Sequence, residues 1–167
     1  PVKRIDIFLK AAAKVNGNLS KSIFLVVGDG ELRPELESLA RELKISDKTF
    51  FLGKRNDVPN VLAACDIVAL TSDSESFSNS IVEYLAAGLP IVSTDVGGCM
   101  EIIEDGVNGF IVPPSDHEAI ARKIYYLAIN TNRNIIKNIN MEKAKDMFSR
   151  ESMVASFERL YLEGTKR

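Results

Sequence analysis

The sequence predicts an α/β fold, a doubly wound, Rossmann-like parallel sheet covered by helices on both faces. Short apolar runs at 23–27, 49–53, 67–70 and 90–94 end in glycine or polar residues. Such continuous runs mark strands buried on both sides, because a half-exposed strand would alternate instead. Between the runs, apolar residues recur at helical spacing. Strand and helix patterns alternate five times, the order of a parallel sheet with right-handed crossovers.

Ile5, Phe8, Leu9, Ala12 and Ala13 predict an amphipathic helix over 4–16, stopped by Asn16-Gly17-Asn18. The run 23–27 is the first strand, closed by Gly28. Leu32, Leu36, Leu39, Ala40 and Leu43 give a second helix, with Pro34 acceptable in its first turn. Residues 49–53 are the next strand. Asp57 is placed to cap a short helix reaching Cys65, and 67–70 is again a strand. A Ser/Asp-rich loop leads into a helix over 80–87, stopped by Gly88. Strand 90–94, a short helix near 99–104, a turn at 105–109 and a last strand at 110–112 follow. Pro113-Pro114 breaks the chain and Asp116 caps a helix to about residue 128. Two further helices fill 133–163, with Asn130, Asn132, Asn134, Asn138 and Asn140 marking a more polar tail that packs outside the sheet or reaches toward a missing partner.

With 167 residues the chain is long enough to bury a core as one domain, 1–167. It is 46% hydrophobic and 26% charged, which excludes disordered and fibrous classes. A net charge of −2 gives no basic field for nucleic acid. No apolar run is long enough to span a membrane, and Pro1-Val2-Lys3-Arg4 is no signal peptide. Cys65 and Cys99 fit neither a metal-ligand spacing nor a disulfide framework, so a reducing cytosol is expected. The absence of an initiator Met and the early helix suggest a fragment of a longer chain.

In open α/β sheets, ligands bind beyond the carboxyl ends of the strands. That places candidate chemistry in the loops Gly28-Asp29-Gly30, Gly53-Lys54-Arg55, 71–79 and Asp95-Val96-Gly97-Gly98. The dinucleotide fingerprint is incomplete, because position 33 is Arg where a third glycine belongs. Gly28 and Gly30 therefore read as a strand-to-helix turn and as pocket wall. The segment Glu75-Ser76-Phe77-Ser78-Asn79-Ser80-Ile81-Val82-Glu83 carries more. A helix N-terminus offers unpaired N–H groups and a favourable dipole to an anion. Small polar Ser78, Asn79 and Ser80 leave those groups accessible. Glu83 is placed for a vicinal diol and Glu75 for sugar hydroxyls, so a sugar nucleotide fits both. Two plainer roles stay open: Ser80 and Glu83 also form a capping-box pattern, and Glu75 also fits a solvated loop position. Lys3 and Arg55 are the cations that a metal-free diphosphate site would use. Lys54 reads as surface, and His117 as an exposed first-turn residue. Asp73 and Glu75 do not have metal-site spacing, so no metal and no cofactor are expected.

These residues resemble the C-terminal, donor-binding domain of a retaining GT-B glycosyltransferase of family 4. The resemblance covers nearly the whole chain in order. It runs through Val27-Gly28-Asp29-Gly30-Glu31-Leu32, Phe51-Leu52-Gly53 with Asp57-Val58-Pro59, and the Glu75-to-Glu83 motif continuing to Val92. Thr94-Asp95-Val96-Gly97-Gly98, Glu101 and 105–109 complete it. The resemblance implies that Glu75 holds the donor sugar and acts catalytically by orientation and charge. It implies that the backbone of Ser76, Phe77 and Ser78 lines the sugar, that of Asn79 and Ser80 meets the diphosphate, and Glu83 binds the ribose. Lys3 falls where the family has a diphosphate lysine; the partner arginine would precede residue 1. Arg55 neighbours the base, and Gly97 and Gly98 shape the wall beside the sugar. Many members carry glycine at Ser76 and Ser78, a departure that bears on donor identity.

The implied reaction moves a sugar from a nucleoside diphosphate sugar to a glycan or lipid-linked acceptor with retention of configuration. The acceptor-side groups would lie on an N-terminal domain absent from this chain, so the fragment alone is expected to be inactive. Polysaccharide assembly in the cytoplasm is implied, with a peripheral contact at the inner face of the membrane in the intact enzyme. The alternatives are a nucleotide-sugar epimerase and a non-catalytic nucleotide-binding partner domain. The order of motifs argues against the first, and retention of both Glu75 and Glu83 against the second.

Overall fold

The computed structural model describes residues 2–130 and 132–164. Pro1, Thr131 and 165–167 lie outside the described residues, and with them the start of the N-terminal stretch and the ends of the 1–167 domain assignment. Among the described residues five strands and eight helices follow one another in the order the sequence predicts, alternating as far as α6: α1 Ile5–Asn18, β1 Phe24–Val27, α2 Arg33–Glu42, β2 Thr49–Gly53, α3 Val58–Ala63, β3 Val68–Leu70, α4 Asn79–Ala86, β4 Ile91–Thr94, α5 Cys99–Ile102, β5 Gly109–Val112, α6 His117–Ile129, α7 Arg133–Phe148 and α8 Arg150–Gly164.

Every strand pairing is parallel. The pairing falls into two pieces, β1 with β2 and β3-β4-β5. The sequence pattern predicts the alternation but is silent on this division, because hydrophobic runs specify burial and not which edges meet.

Two apolar clusters cover the two faces. One joins α1, α2 and α6 to β1, and the other joins α3, α4 and α5 to β3. β4 is buried along its whole length, and its neighbours point to opposite sides. Ile91 enters the second cluster and Val92 the first. On β5, Phe110 and Val112 face the first cluster while Ile111 packs on the second. This is the physical reason β4 and its neighbours read as unbroken apolar runs; on β1 and β2, by contrast, Val27 and Phe50 remain exposed.

The C-terminal helices stay outside this sheet. α7 packs on α4, and its Ala144 and Phe148 touch the second cluster. Asn140 is fully buried, and its Nδ2 donates to the backbone oxygens of Leu89 (2.8 Å) and Asn108 (3.2 Å). The polar tail is thus anchored by one asparagine to the segments entering β4 and β5. α8 leaves Met153, Phe157, Leu160 and Tyr161 exposed.

Two of the three capping expectations change. Asp57 occupies the cap position of α3 but its carboxylate makes no cap bond, because Arg55 takes it. α4 starts at Asn79 with Ser78 as its cap residue, so the Ser80–Glu83 capping box does not form. Asp116 does cap α6, accepting from the Ala119 N–H at 2.8 Å.

Candidate functional site

The loops beyond the carboxyl ends of β3 and β4 meet the chain ahead of α1. Thr71, just past β3, donates its hydroxyl to the backbone oxygens of Lys3 and Arg4, and the Asp73 N–H donates to the Val2 carbonyl at 2.8 Å. These bonds bring Lys3 alongside the acidic loop, 72 positions away in sequence. Its Nζ donates to Glu75 Oε1 at 2.6 Å, and the Ser72 hydroxyl donates to the same oxygen at 2.6 Å.

The Glu75 side chain is only 12% exposed, against 58% for Lys3. Burial pushes the Glu75 carboxyl up, but the bonds from Lys3 and Ser72 together outweigh it and hold the carboxyl below its ordinary range. The solvated-loop reading of Glu75 therefore does not describe it. It is a fixed, ionised carboxylate beside a cation that remains open to solvent.

Gly97 sets the height of this loop. Its φ is +52°, and a β-carbon there would lie 2.0 Å from the Glu75 carbonyl oxygen, so any side chain would displace the Glu75 backbone. Next to it, a β-carbon on Gly98 would touch the Phe77 ring at 3.6 Å. The same ring meets Phe148, at the end of α7, with centroids 5.9 Å apart.

Past Phe77 the chain turns into α4. The N–H groups of Asn79 and Ser80 have no backbone partner among the described residues, while that of Ile81 is taken by the Ser78 carbonyl. Ser78 is buried and its hydroxyl has no partner. One turn on, Glu83 is exposed, and its carboxylate makes no hydrogen bond or ion pair among the described residues. A paired carboxylate, an open ammonium, free helix amides and an uncommitted carboxylate thus follow one another along one short stretch. Free amides at a helix start suit phosphate oxygens, and an unpaired carboxylate suits a pair of hydroxyls.

The loops of the other sheet piece form a separate group. The Gly28 N–H donates to the Gly53 carbonyl at 2.8 Å, clasping the ends of β1 and β2. Gly30 donates its N–H to the Asp29 side chain, and a β-carbon on it would meet open space. Arg55 is not a free cation. Its Nε and a terminal nitrogen donate to the two carboxylate oxygens of Asp57 at 2.8 and 2.6 Å.

Ser72 and Arg4 were not singled out from the sequence. Arg4 sits in the left-handed region (φ 44°), and its guanidinium donates to Asp6, Asp73 and Ser115. It ties the acidic loop to α1 and to the β5–α6 loop. The only signal was its place beside Lys3. Among the described residues no three His, Cys, Asp or Glu side chains gather as metal ligands.

The sequence profile of Glycosyl transferases group 1 matches residues 1–145. The chain belongs to that family. This group 1 domain is 31% identical over 164 residues to N-acetyl-alpha-D-glucosaminyl L-malate synthase of Bacillus anthracis, covering 97% of this chain and 42% of that one. It is 42% identical over 119 residues to a D-inositol 3-phosphate glycosyltransferase of Mycolicibacterium smegmatis, covering 70% and 27%. HepE of Anabaena, solved in complex with UDP-glucose, superposes with a TM-score of 0.85 at 31% identity over 99% of this chain and 46% of its own. The group 1 domain thus spans less than half the length of these relatives, and has the α/β fold of a GT-B glycosyltransferase portion.

Proposed function

We propose that this group 1 domain is the donor-binding part of a retaining glycosyltransferase that moves a sugar from a nucleoside diphosphate sugar to a glycan or lipid-linked acceptor. The observation that carries the reading is the run from the Lys3–Glu75 ion pair to the free amides of Asn79 and Ser80 and the uncommitted Glu83. It offers, in order, groups suited to a sugar, a diphosphate and a ribose. The complex of HepE with UDP-glucose supports a nucleotide-sugar donor and makes uridine diphosphate the first nucleotide to test.

In this mechanism the bond from the anomeric carbon to the diphosphate oxygen breaks while the acceptor hydroxyl attacks on the same face. The acceptor proton passes to the departing phosphate oxygen. No covalent nucleophile is needed, so the two-carboxylate scheme of hydrolases does not apply. The protein must stabilise the leaving diphosphate and fix the sugar, which are electrostatic and orientational tasks. Lys3 and the α4 amides carry the first and Glu75 the second, with the Ser76-Phe77-Ser78 backbone and Gly97-Gly98 as walls. Glu83 takes the ribose hydroxyls. Gly28, Gly30 and Arg55 border the base, where Arg55 acts through its stacking face while Asp57 holds its donors. No metal enters. A further N-terminal domain supplies the acceptor site, without which 1–167 turns nothing over, and the intact enzyme works in the cytoplasm, against the membrane when its acceptor is lipid-linked.

Calorimetric titration with UDP, GDP and ADP tests this reading. Selective binding of one diphosphate, weakened at least tenfold in Glu83→Ala, is expected from losing about 1.5–3 kcal/mol of charge-assisted hydrogen bonding. Equal affinity of the wild type and Glu83→Ala for every diphosphate would remove Glu83 from the site.

A further inference from the structure

The two oxygens of the Glu75 carboxylate are held unevenly. Lys3 Nζ and the Ser72 hydroxyl both donate to Oε1, each at 2.6 Å. Among the described residues no donor reaches Oε2. A carboxylate oxygen offers about two lone-pair sites. Two short donors therefore fill Oε1, while Oε2 keeps its full accepting capacity. The side chain is mostly buried, so these two donors set its orientation rather than solvent.

The donors differ in kind. Lys3 carries an exposed ammonium with three N–H groups on a flexible stem, and it can turn toward another anion. Ser72 is fully buried, and its hydroxyl makes a single hydrogen bond among the described residues, to Glu75. Its backbone is fixed from two sides. Thr94, itself fully buried at the end of β4, donates its hydroxyl to the Ser72 carbonyl at 2.6 Å. The preceding Thr71 donates to the main chain of Lys3 and Arg4. Ser72 is thus wedged between the end of β4 and the chain ahead of α1, with its one donor committed to Oε1.

We propose that Ser72 is the positioning residue for Glu75: it anchors Oε1 and thereby presents Oε2 to a hydroxyl of the transferred sugar. This rests on the donor-binding function proposed for the domain, in which Lys3 stabilises the leaving diphosphate. A diphosphate carries more charge than a carboxylate and draws the mobile ammonium to itself. Ser72 is then the donor that still fixes Glu75. The terminal torsion of a glutamate is broad and roughly twofold, so without a fixed donor either oxygen could turn to the sugar. Settling that choice before the sugar arrives is the orientational task the mechanism sets. The partner on the sugar must be a hydroxyl that donates, because Oε2 only accepts. A donor deoxygenated or methylated at that position leaves the carboxylate oxygen unpaired.

Calorimetric titration of the wild type and Ser72→Ala tests this, with UDP against UDP-glucose, UDP-galactose and UDP-N-acetylglucosamine, and GDP against GDP-mannose. For at least one sugar, Ser72→Ala should raise the ratio of the sugar nucleotide's Kd to that of its diphosphate roughly tenfold, with the Kd of the diphosphate held within about twofold. Equal weakening of diphosphate and sugar nucleotide would make Ser72 a support of the fold alone and overturn the proposal. An unchanged ratio for every sugar would overturn it too. A wild type that binds no diphosphate would instead overturn the donor-binding function, and this inference with it. A second readout needs no nucleotide: by NMR the Glu75 carboxyl carbon should titrate at higher pH in Ser72→Ala than in the wild type, since burial is then opposed by Lys3 alone. Identical titration in the two proteins would mean that Ser72 does not hold the carboxylate.

Discussion

The carbonyl oxygen of Glu75 occupies the place a side chain on Gly97 would need, 2.0 Å from its β-carbon. The Glu75 loop and the turn after β4 are fitted to each other at van der Waals contact. Gly97→Ala must displace the Glu75 backbone and also hold alanine at φ +52°. A cost of about 1–3 kcal/mol in stability is expected. Diphosphate affinity should fall by more than that of a Gly17→Ala control near the end of α1, whose β-carbon would meet open space. Thermal melts and calorimetry on the two variants check both points.

Lys3→Met should raise the Glu75 carboxyl above its ordinary value of 4.5, because burial, the largest influence, is then opposed only by Ser72. Titration of the Glu75 carboxyl carbon by NMR reads this directly. A carboxyl that stays low in the variant would mean that Lys3 does not hold it.

The same pair predicts an acid limb of stability. With the folded value depressed, the native state binds this proton less readily than the unfolded chain. Its contribution is complete above 4.5 and is lost as pH falls through the lower folded value. Glu75→Gln should flatten that part of the stability curve between the two values and leave its neutral region parallel to wild type. Urea denaturation at a series of acidic pH values is the measurement.

Asn140→Leu should cost about 1–3 kcal/mol, since the Leu89 and Asn108 carbonyls lose a buried donor each. α7 carries the effect, so its amides should lose protection before those of β4. Exchange rates of both elements in the variant decide this.

Arg4→Ala removes the donors that bind Asp73, Asp6 and Ser115 and leaves a non-glycine residue at φ 44°. Arg4→Gly removes the same donors but eases the backbone. Both variants should bind diphosphate more weakly than wild type, with the glycine variant the more stable of the two. Equal Tm values would mean the left-handed turn costs nothing here.

The order of strands and helices was legible because β4 and its neighbours are covered on both sides, so burial writes itself as unbroken apolar runs. Glu75, Glu83 and Lys3 were legible as residue types in a loop-to-helix setting. Their relations were not. Lys3 meets Glu75 across 72 positions through bonds from Thr71 and Asp73 to main-chain oxygens, which leave no mark in composition. Ser72 looked like any loop serine, and Asn140 like one of several solvated asparagines until α7 packed on α4. The pairing of Arg55 with the carboxylate two residues away is likewise invisible in the residue types alone. The broken sheet was hidden because hydrophobic patterning reports how deep a strand lies and says nothing about its neighbour.

The Arg55–Asp57 clamp closes within three residues and draws on nothing else in the molecule. Residues 54–57 are accordingly a self-contained cassette between the end of β2 and the start of α3. Moved into another scaffold, 54–57 would carry its clamp with it, whereas a graft of the 72–78 loop would arrive without Lys3, Arg4 and Gly97. Residues 54–57 can therefore be exchanged as one unit, whereas an exchange of 72–78 keeps its fit only when three distant positions change with it.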